Sequence, residues 1–166
     1  MPGPSTGFRS GMTLQGEYEP SASAWVRDQV EEYEASNGER ANILRGRPEW
    51  PIVVITSVGH KSGKLRKNPV MRVEHDGVYA AVASKGGAPE HPEWYYNFLA
   101  NPRVTLQDGP EPHEYVARVA EGEERAEWWE RAVAQYAPYA DYQEKTDREI
   151  PVFLLERVAS RASAAS

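Results

Sequence analysis

Residues 56–72 read TSVGHKSGKLRKNPVMR, and the way this stretch turns decides the fold. A β-branched run, Ile52-Val53-Val54-Ile55, leads into it, and Asn68-Pro69 leads out into a second extended segment. In between, the chain turns through Gly59 and Gly63 and gathers His60, Lys61, Lys64, Arg66 and Lys67. Strand, turn, strand is a hairpin pattern, and cationic donors on a Gly-containing turn can cradle a phosphate or a carboxylate. A solvated basic tip is the competing reading. The cluster stands against an acidic background, since the chain carries formal charge -6. It is not a nucleotide P-loop, which needs four residues between its glycines and a hydroxyl after the lysine. Here only Ser62, Lys61 and His60 separate the glycines, and Leu65 follows Lys64.

Outward from the hairpin, the apolar run over residues 51–56 predicts a strand buried on both faces. The second strand spans 68–75 and a third 78–84, joined by Asp76-Gly77, a two-residue hairpin signal. Ser84-Lys85-Gly86-Gly87 breaks that strand. A helix then starts near Pro92 and stops before Asn101-Pro102, with Trp94, Tyr95, Phe98 and Leu99 as its apolar face. Strands over 103–107 and 113–119 flank Asp108-Gly109-Pro110. Upstream, a helix capped by Ser21 or Ser23 ends at Asn37-Gly38. Its stripe of Val26, Val30 and Tyr33, with Trp25 beside it, suits core packing ahead of docking on a membrane surface. Downstream, 121–136 predicts an amphipathic helix with Trp129, Ala132, Val133 and Tyr136 inward. Pro138 interrupts it, a short helical turn follows, and 150–157 is the last strand. About six hairpin-connected strands with two or three helices predict an α+β fold, an antiparallel barrel with helices packed on it. The Gly/Pro/Ser-rich residues 1–20 form a flexible arm, 21–158 a single domain, and 159–166 a disordered tail.

Composition removes whole classes of function. The chain has 166 residues, 40% of them apolar, and no cysteine, so disulfide, thiolate-metal and cysteine-nucleophile chemistry are out. No apolar run reaches the roughly 20 residues that span a bilayer, and the N-terminus has no apolar signal segment. A net negative chain is a poor nucleic-acid binder. His60, His75, His91 and His113 lack metal-ligand spacing, and no serine sits in a G-x-S-x-G elbow. Tyr136, Tyr139 and Tyr142 recur every three residues and fall on neighbouring helical faces. They can line a pocket for a flat, partly polar molecule, or form a half-buried aromatic ledge. Ser84 with the Gly-Gly turn offers a hydroxyl and close backbone approach.

Three longer motifs, SVGHKSGKLRKNPVMRV, AVASKGGAPEHPEWYYNFLANPRV and YAPYADYQEKTDREIPV, resemble the deazaflavin-dependent nitroreductases of actinobacteria over about residues 25–156. The resemblance implies a flavin-reductase-like split β-barrel that uses coenzyme F420. It implies that Lys61, Arg66 and Lys67 receive the phosphate of the deazaflavin side chain, together with His60, Ser62, Asn68 and Pro69. Val82, Ala83, Ser84 and Lys85 would wall the ring and tail, with Trp94, Tyr95 and Asn97 on the following helix. Met71, Tyr136, Tyr139 and Tyr142 would face the acceptor, and Met71 and Tyr139 would touch the cofactor as well. Met71 stands where the nitroimidazole-activating members carry tyrosine, which sets nitro activation apart from cofactor binding. The expectation is a reductase passing a hydride from reduced F420 to a quinone-like or nitroaromatic acceptor. Tyr139 is the first choice and Ser84 the second for the donor to the acceptor oxygen. An F420 carrier without catalysis and an FMN-dependent oxidase of the same barrel type are the alternatives. The expected place is the cytoplasm, with peripheral contact to the membrane's inner face through the first helix.

Overall fold

In the computed structural model, which describes residues 14–158, the elements run α1 (Ala24–Ala35), β1 (Ile43–Leu44), β2 (Arg47–Val58), β3 (Leu65–Met71), β4 (Val73–His75) and β5 (Val78–Val82). A short 3₁₀ turn (Lys85–Gly87) follows, then α2 (Glu93–Ala100), β6 (Arg103–Gln107), β7 (Pro112–Val119), α3 (Gly122–Gln135), α4 (Pro138–Glu144) and β8 (Val152–Arg157). β2 carries the weight of the fold. Its apolar run is buried on both faces, as a continuous hydrophobic strand requires. Ile52 and Val54 pack on Val30 and Tyr33 of α1, whereas Val53 and Ile55 face the inner core with Phe98, Leu106 and Phe153. Strand periodicity of two sends alternate residues to opposite layers.

Every ladder between the strands is antiparallel. β2 pairs with β3 on one side and β6 on the other, and the order continues through β7, β8 and β5 to β4. Only Arg72 separates β3 from β4, so the two are one bent strand. Its first half pairs with β2 and its second half with β5. The bend joins the two ends of the sheet and curls it into the expected split barrel, which shelters strand edges. The predicted second strand over 68–75 is this bent strand. At the Asp76-Gly77 hairpin both residues take positive φ, 53° and 82°, the type I′ signature.

The helices sit largely where the sequence places them, with two corrections. Leu99 is 52% exposed and is not part of the α2 core face; Trp94, Asn97 and Phe98 are. Leu99 lies five residues past Trp94, about 140° further round the helix. In α3 the deeply buried residues are Trp128 and Ala132, four apart on one face, while Trp129 and Val133 flank them half-buried. α1 ends as predicted: Asn37 takes φ 57° and the Gly38 N–H donates to the Tyr33 carbonyl at 2.8 Å, a Schellman closure. Trp25 is 61% exposed and stands outside the core. The expected arm enters the described residues at Leu14, and Tyr18 pairs in parallel with Leu65 of β3. Residues 1–13 and 159–166 lie outside the described residues. No helix among the described residues is long and apolar enough to cross a membrane.

Candidate active site

A cavity of about 300 Å³ opens where the bent strand, the end of β5 and α4 converge. Pro69, Val70 and Met71 bring β3 to its wall, and Val82, Ser84, Lys85 and Gly86 bring the segment after β5. Trp94 closes it from α2, and Tyr136, Tyr139 and Tyr142 from the end of α3 and from α4. Nine of the residues expected at the site therefore share one space. The chain has 25 acidic residues, yet the wall holds no Asp or Glu and two cations, Arg45 and Lys85. Such a wall repels no anionic ligand.

The tyrosines form a working surface as well as a ledge. Pro138 at the first turn of α4 sets the second helix off from α3, and the three rings fold onto one another across that break. Tyr136 and Tyr139 meet edge-to-face with centroids 4.9 Å apart, and the Tyr136 and Tyr142 hydroxyls hydrogen-bond at 3.0 Å. Burial pushes the Tyr136 phenol up to about 12, reinforced by the bond to Tyr142, while Arg45 pulls the other way. Tyr139 is 5% exposed, and its hydroxyl has no hydrogen-bond partner among the described residues. Burial, and then the neighbouring phenols, raise its pKa well above the ordinary value, so it stays a proton donor. Met71 lies on the cavity side at 6% exposure, opposite Ile52 in the β2–β3 ladder.

The segment around Ser84 is held in an unusual shape. Lys85, Gly86 and Gly87 all take left-handed backbone, with φ of 47°, 64° and 85°. A Cβ on Gly87 would lie 2.8 Å from the Tyr142 carbonyl oxygen, so the glycine is what lets α4 rest on this turn. Arg148 holds the turn in place. Its guanidinium donates to the carbonyls of Ala88 at 2.9 Å, Ala83 at 3.2 Å and Ser84 at 2.9 Å, and to His91 Nδ1 at 2.9 Å. Sequence reasoning missed Arg148, because its partners lie about 60 residues away and three of them are backbone atoms. His91 stacks on Tyr95 with centroids 3.9 Å apart, which places Tyr95 behind the wall. Ala83 is fully buried and contributes its carbonyl to Arg148 rather than a surface to the cavity.

The basic stretch lies beside the cavity and is divided. Gly59 N–H donates to the Lys64 carbonyl at 2.8 Å, and the Lys64 N–H to Ser62 Oγ at 3.0 Å, closing a tight turn. Asn97, one helical turn past Trp94, accepts the His60 N–H at 2.9 Å, so α2 ties this turn to the cavity. His60 Nε2 pairs with Glu93 at 3.0 Å, and Lys61 is exposed with no ion pair among the described residues. Arg66 and Lys67 are not on the turn. They occupy β3 on opposite faces, Arg66 bound to Glu19 at 2.8 Å and Lys67 to Glu34 at 2.6 Å. Asn68 falls on the Arg66 face, opposite Ile55. Ser57, opposite Arg66, is 1% exposed, and its hydroxyl has no partner among the described residues. A buried hydroxyl left unpaired in native structure points toward a missing partner. Sequence reasoning gave Ser57 no role, noting only that no serine sits in a G-x-S-x-G elbow.

The chain is similar to known proteins of one kind. A solved F420-H2 dependent reductase is 59% identical, with a TM-score of 0.61, covering 64% of this chain and 94% of that one. A second solved structure, a domain-swapped dimer, is 51% identical with a TM-score of 0.63, over 82% of this chain and all of the other. An F420H(2)-dependent quinone reductase of Mycobacterium tuberculosis is 32% identical over 128 residues, 75% of this chain and 85% of its own length. The family model of the F420H(2)-dependent quinone reductases matches residues 25–157, which include α1, the whole barrel and every residue of the cavity, and this chain belongs to that family of F420-dependent reductases.

Proposed function

We propose that this chain reduces quinones with reduced F420 in the cavity between Met71, the Ser84–Gly86 turn and the three tyrosines. The observation that carries the reading is the unpaired, buried Tyr139 phenol on a wall that has no carboxylate. The residues fit the coenzyme. An anionic deazaflavin meets Lys85, an aromatic face at Trp94 and, past Asn97, the exposed Lys61 ammonium. When bound, the coenzyme supplies two electrons and two protons, so that F420H2 and quinone give F420 and hydroquinone.

The protein's share is binding, orientation and a hydrogen bond to the acceptor oxygen. Trp94 and Met71 offer the flat apolar surfaces against which two rings can stack, and the buried core behind them keeps water off one side. Negative charge grows on the acceptor oxygen as it is reduced, and a donor fixed in place beforehand stabilises it. Tyr139 is that donor. Ser84, 7% exposed and on the same wall, is the second. Arg66 reaches a phosphate by exchanging Glu19 for it, whereas Lys67 points to the other face of β3 and stays with Glu34 of α1. Trp25, exposed at the rim, gives an apolar quinone a contact by which to enter, and is the surface through which α1 would touch a membrane on the cytoplasmic side.

Two expected results test this. Each charge-assisted bond to phosphate is worth about 1.5–3 kcal/mol. Lys61→Ala and Arg66→Ala should therefore each weaken F420 binding about tenfold, measured by titration, with the fold intact. Arg66→Ala should show the smaller loss of the two, because breaking its pair with Glu19 offsets part of the gain. Titrations unchanged in both variants would remove the cradle. For the acceptor, kcat/KM should favour menadione over a bicyclic nitroimidazole, because Met71 offers no hydroxyl to orient a nitro group. Equal turnover of the two would show that Met71 does not discriminate.

A further inference from the structure

The β1–β2 hairpin turns through Arg45 and Gly46, both in left-handed backbone at φ 52° and 69°. That turn reaches the cavity beside the tyrosines, and Arg45 is on its wall. Several features set Arg45 apart. Its neighbour Arg47 is paired with Glu49 at 2.8 Å and lies over the Trp50 ring, and Lys85 across the cavity is 3.6 Å from Glu90. Arg45 has no carboxylate partner among the described residues, and no carboxylate lines the cavity. Its guanidinium is close enough to act on the Tyr136 hydroxyl, which is itself bound to Tyr142. The result is an exposed cation on the cavity wall beside the Tyr136–Tyr142 phenol pair, the side proposed for the acceptor.

We propose that Arg45 selects quinones that carry an acidic group next to the reducible carbonyl, such as 2-hydroxy- or 2-sulfo-1,4-naphthoquinones, which are anions at neutral pH. The inference rests on the quinone-reductase reading of this cavity. An unpaired guanidinium binds a carboxylate, sulfonate or enolate oxygen with two parallel donors and fixes its orientation. With the anionic substituent at Arg45, the adjacent carbonyl carbon is turned toward the ring face and its oxygen toward Tyr139. The overall step is unchanged: F420H2 and the naphthoquinone give F420 and the naphthohydroquinone, and the anionic substituent is neither gained nor lost. Neutral menadione has nothing for Arg45 to hold and depends on stacking alone.

The test is kcat/KM for 1,4-naphthoquinone-2-sulfonate and for menadione, with reduced F420, on the native chain, Arg45→Gln and Arg45→Glu. The expected result is a preference for the sulfonate that falls about tenfold in Arg45→Gln and further in Arg45→Glu. Menadione turnover and the F420 titration should stay as in the native chain. The native preference should also shrink as salt is raised, since a half-exposed cation is screened. An unchanged sulfonate-to-menadione ratio in both variants overturns the role of Arg45. So does a loss of F420 affinity that lowers both acceptors alike, because it places Arg45 with the coenzyme. Absence of menadione turnover in the native chain would instead contradict the quinone-reductase reading itself, which keeps the two failures apart.

Discussion

Arg148→Ala is expected to lower stability by about 3 kcal/mol and to take most of the reductase activity with it. One guanidinium serves the Ala83, Ser84 and Ala88 carbonyls and His91 Nδ1, with Glu90 acting on it from beyond ion-pair distance. Hydrogen bonds to a charged donor are worth about 1.5–3 kcal/mol each, and carbonyls left without a partner in a buried setting add their own cost. The bonds act as a unit, so the total is well below their sum. The loss reaches the cavity because Ser84 and Lys85 line it and their backbone is what Arg148 holds. Denaturant unfolding measures the first effect. Arg148→Lys keeps the charge but not the planar fork, and should recover stability better than kcat. His91 gives an independent readout. Burial first, and Arg148 second, hold its pKa below the ordinary value. In Arg148→Ala it should rise toward that value by NMR titration. In the native protein the depressed value means that stability present at neutral pH declines as pH falls through the ordinary histidine range, where the unfolded chain takes up the proton first. An Arg148→Ala protein with native stability and an unmoved His91 would show that the clasp is incidental.

Tyr139→Phe should lower kcat for menadione roughly 10- to 100-fold and leave F420 affinity within about twofold. The ring remains, so the packing against Tyr136 and Trp129 is kept. What disappears is a hydroxyl that has no hydrogen-bond partner among the described residues and whose proton is held by burial. Losing an interaction made only as charge develops lowers kcat and kcat/KM together. If F420 affinity falls while kcat holds, Tyr139 belongs to the coenzyme's surroundings, and Ser84 becomes the donor.

Most of the barrel was legible because its signals are local. The run at 52–55, the Asp76-Gly77 turn and the Pro138 break each act within a few residues, through strand burial, turn geometry and the missing proline N–H. The bent strand could be read as a strand, but not as the closure of the barrel, since closure depends on which partners its two halves find. Helix faces were read to within one position. Trp128 and Trp129 differ by 100° on α3, and the pattern placed Trp129 inward where the structure buries its neighbour Trp128. The site divided along the same line. Ser84 and Lys85 of the Gly-Gly turn share one cavity with the tyrosine repeat, whereas the His60–Ser62 turn lies beside it. Arg66 and Lys67 did not, because a strand sends neighbours to opposite faces and because Glu19 and Glu34 arrive from elsewhere in the chain. Arg148 sat inside the YAPYADYQEKTDREIPV stretch with no role of its own, and Arg45 sat in no motif. Their meaning comes from three carbonyls in one case and from the absence of a carboxylate in the other, and neither is written near them.

The most direct measurement of the central claim is anaerobic mixing of this protein with reduced F420 and menadione, following the return of oxidised deazaflavin absorbance, with reduced FMN run in parallel. The account predicts protein-dependent oxidation of reduced F420 that saturates with menadione, and no comparable oxidation with FMN. Tight F420 binding without acceptor-dependent oxidation, or turnover with FMN that equals turnover with F420, would contradict it.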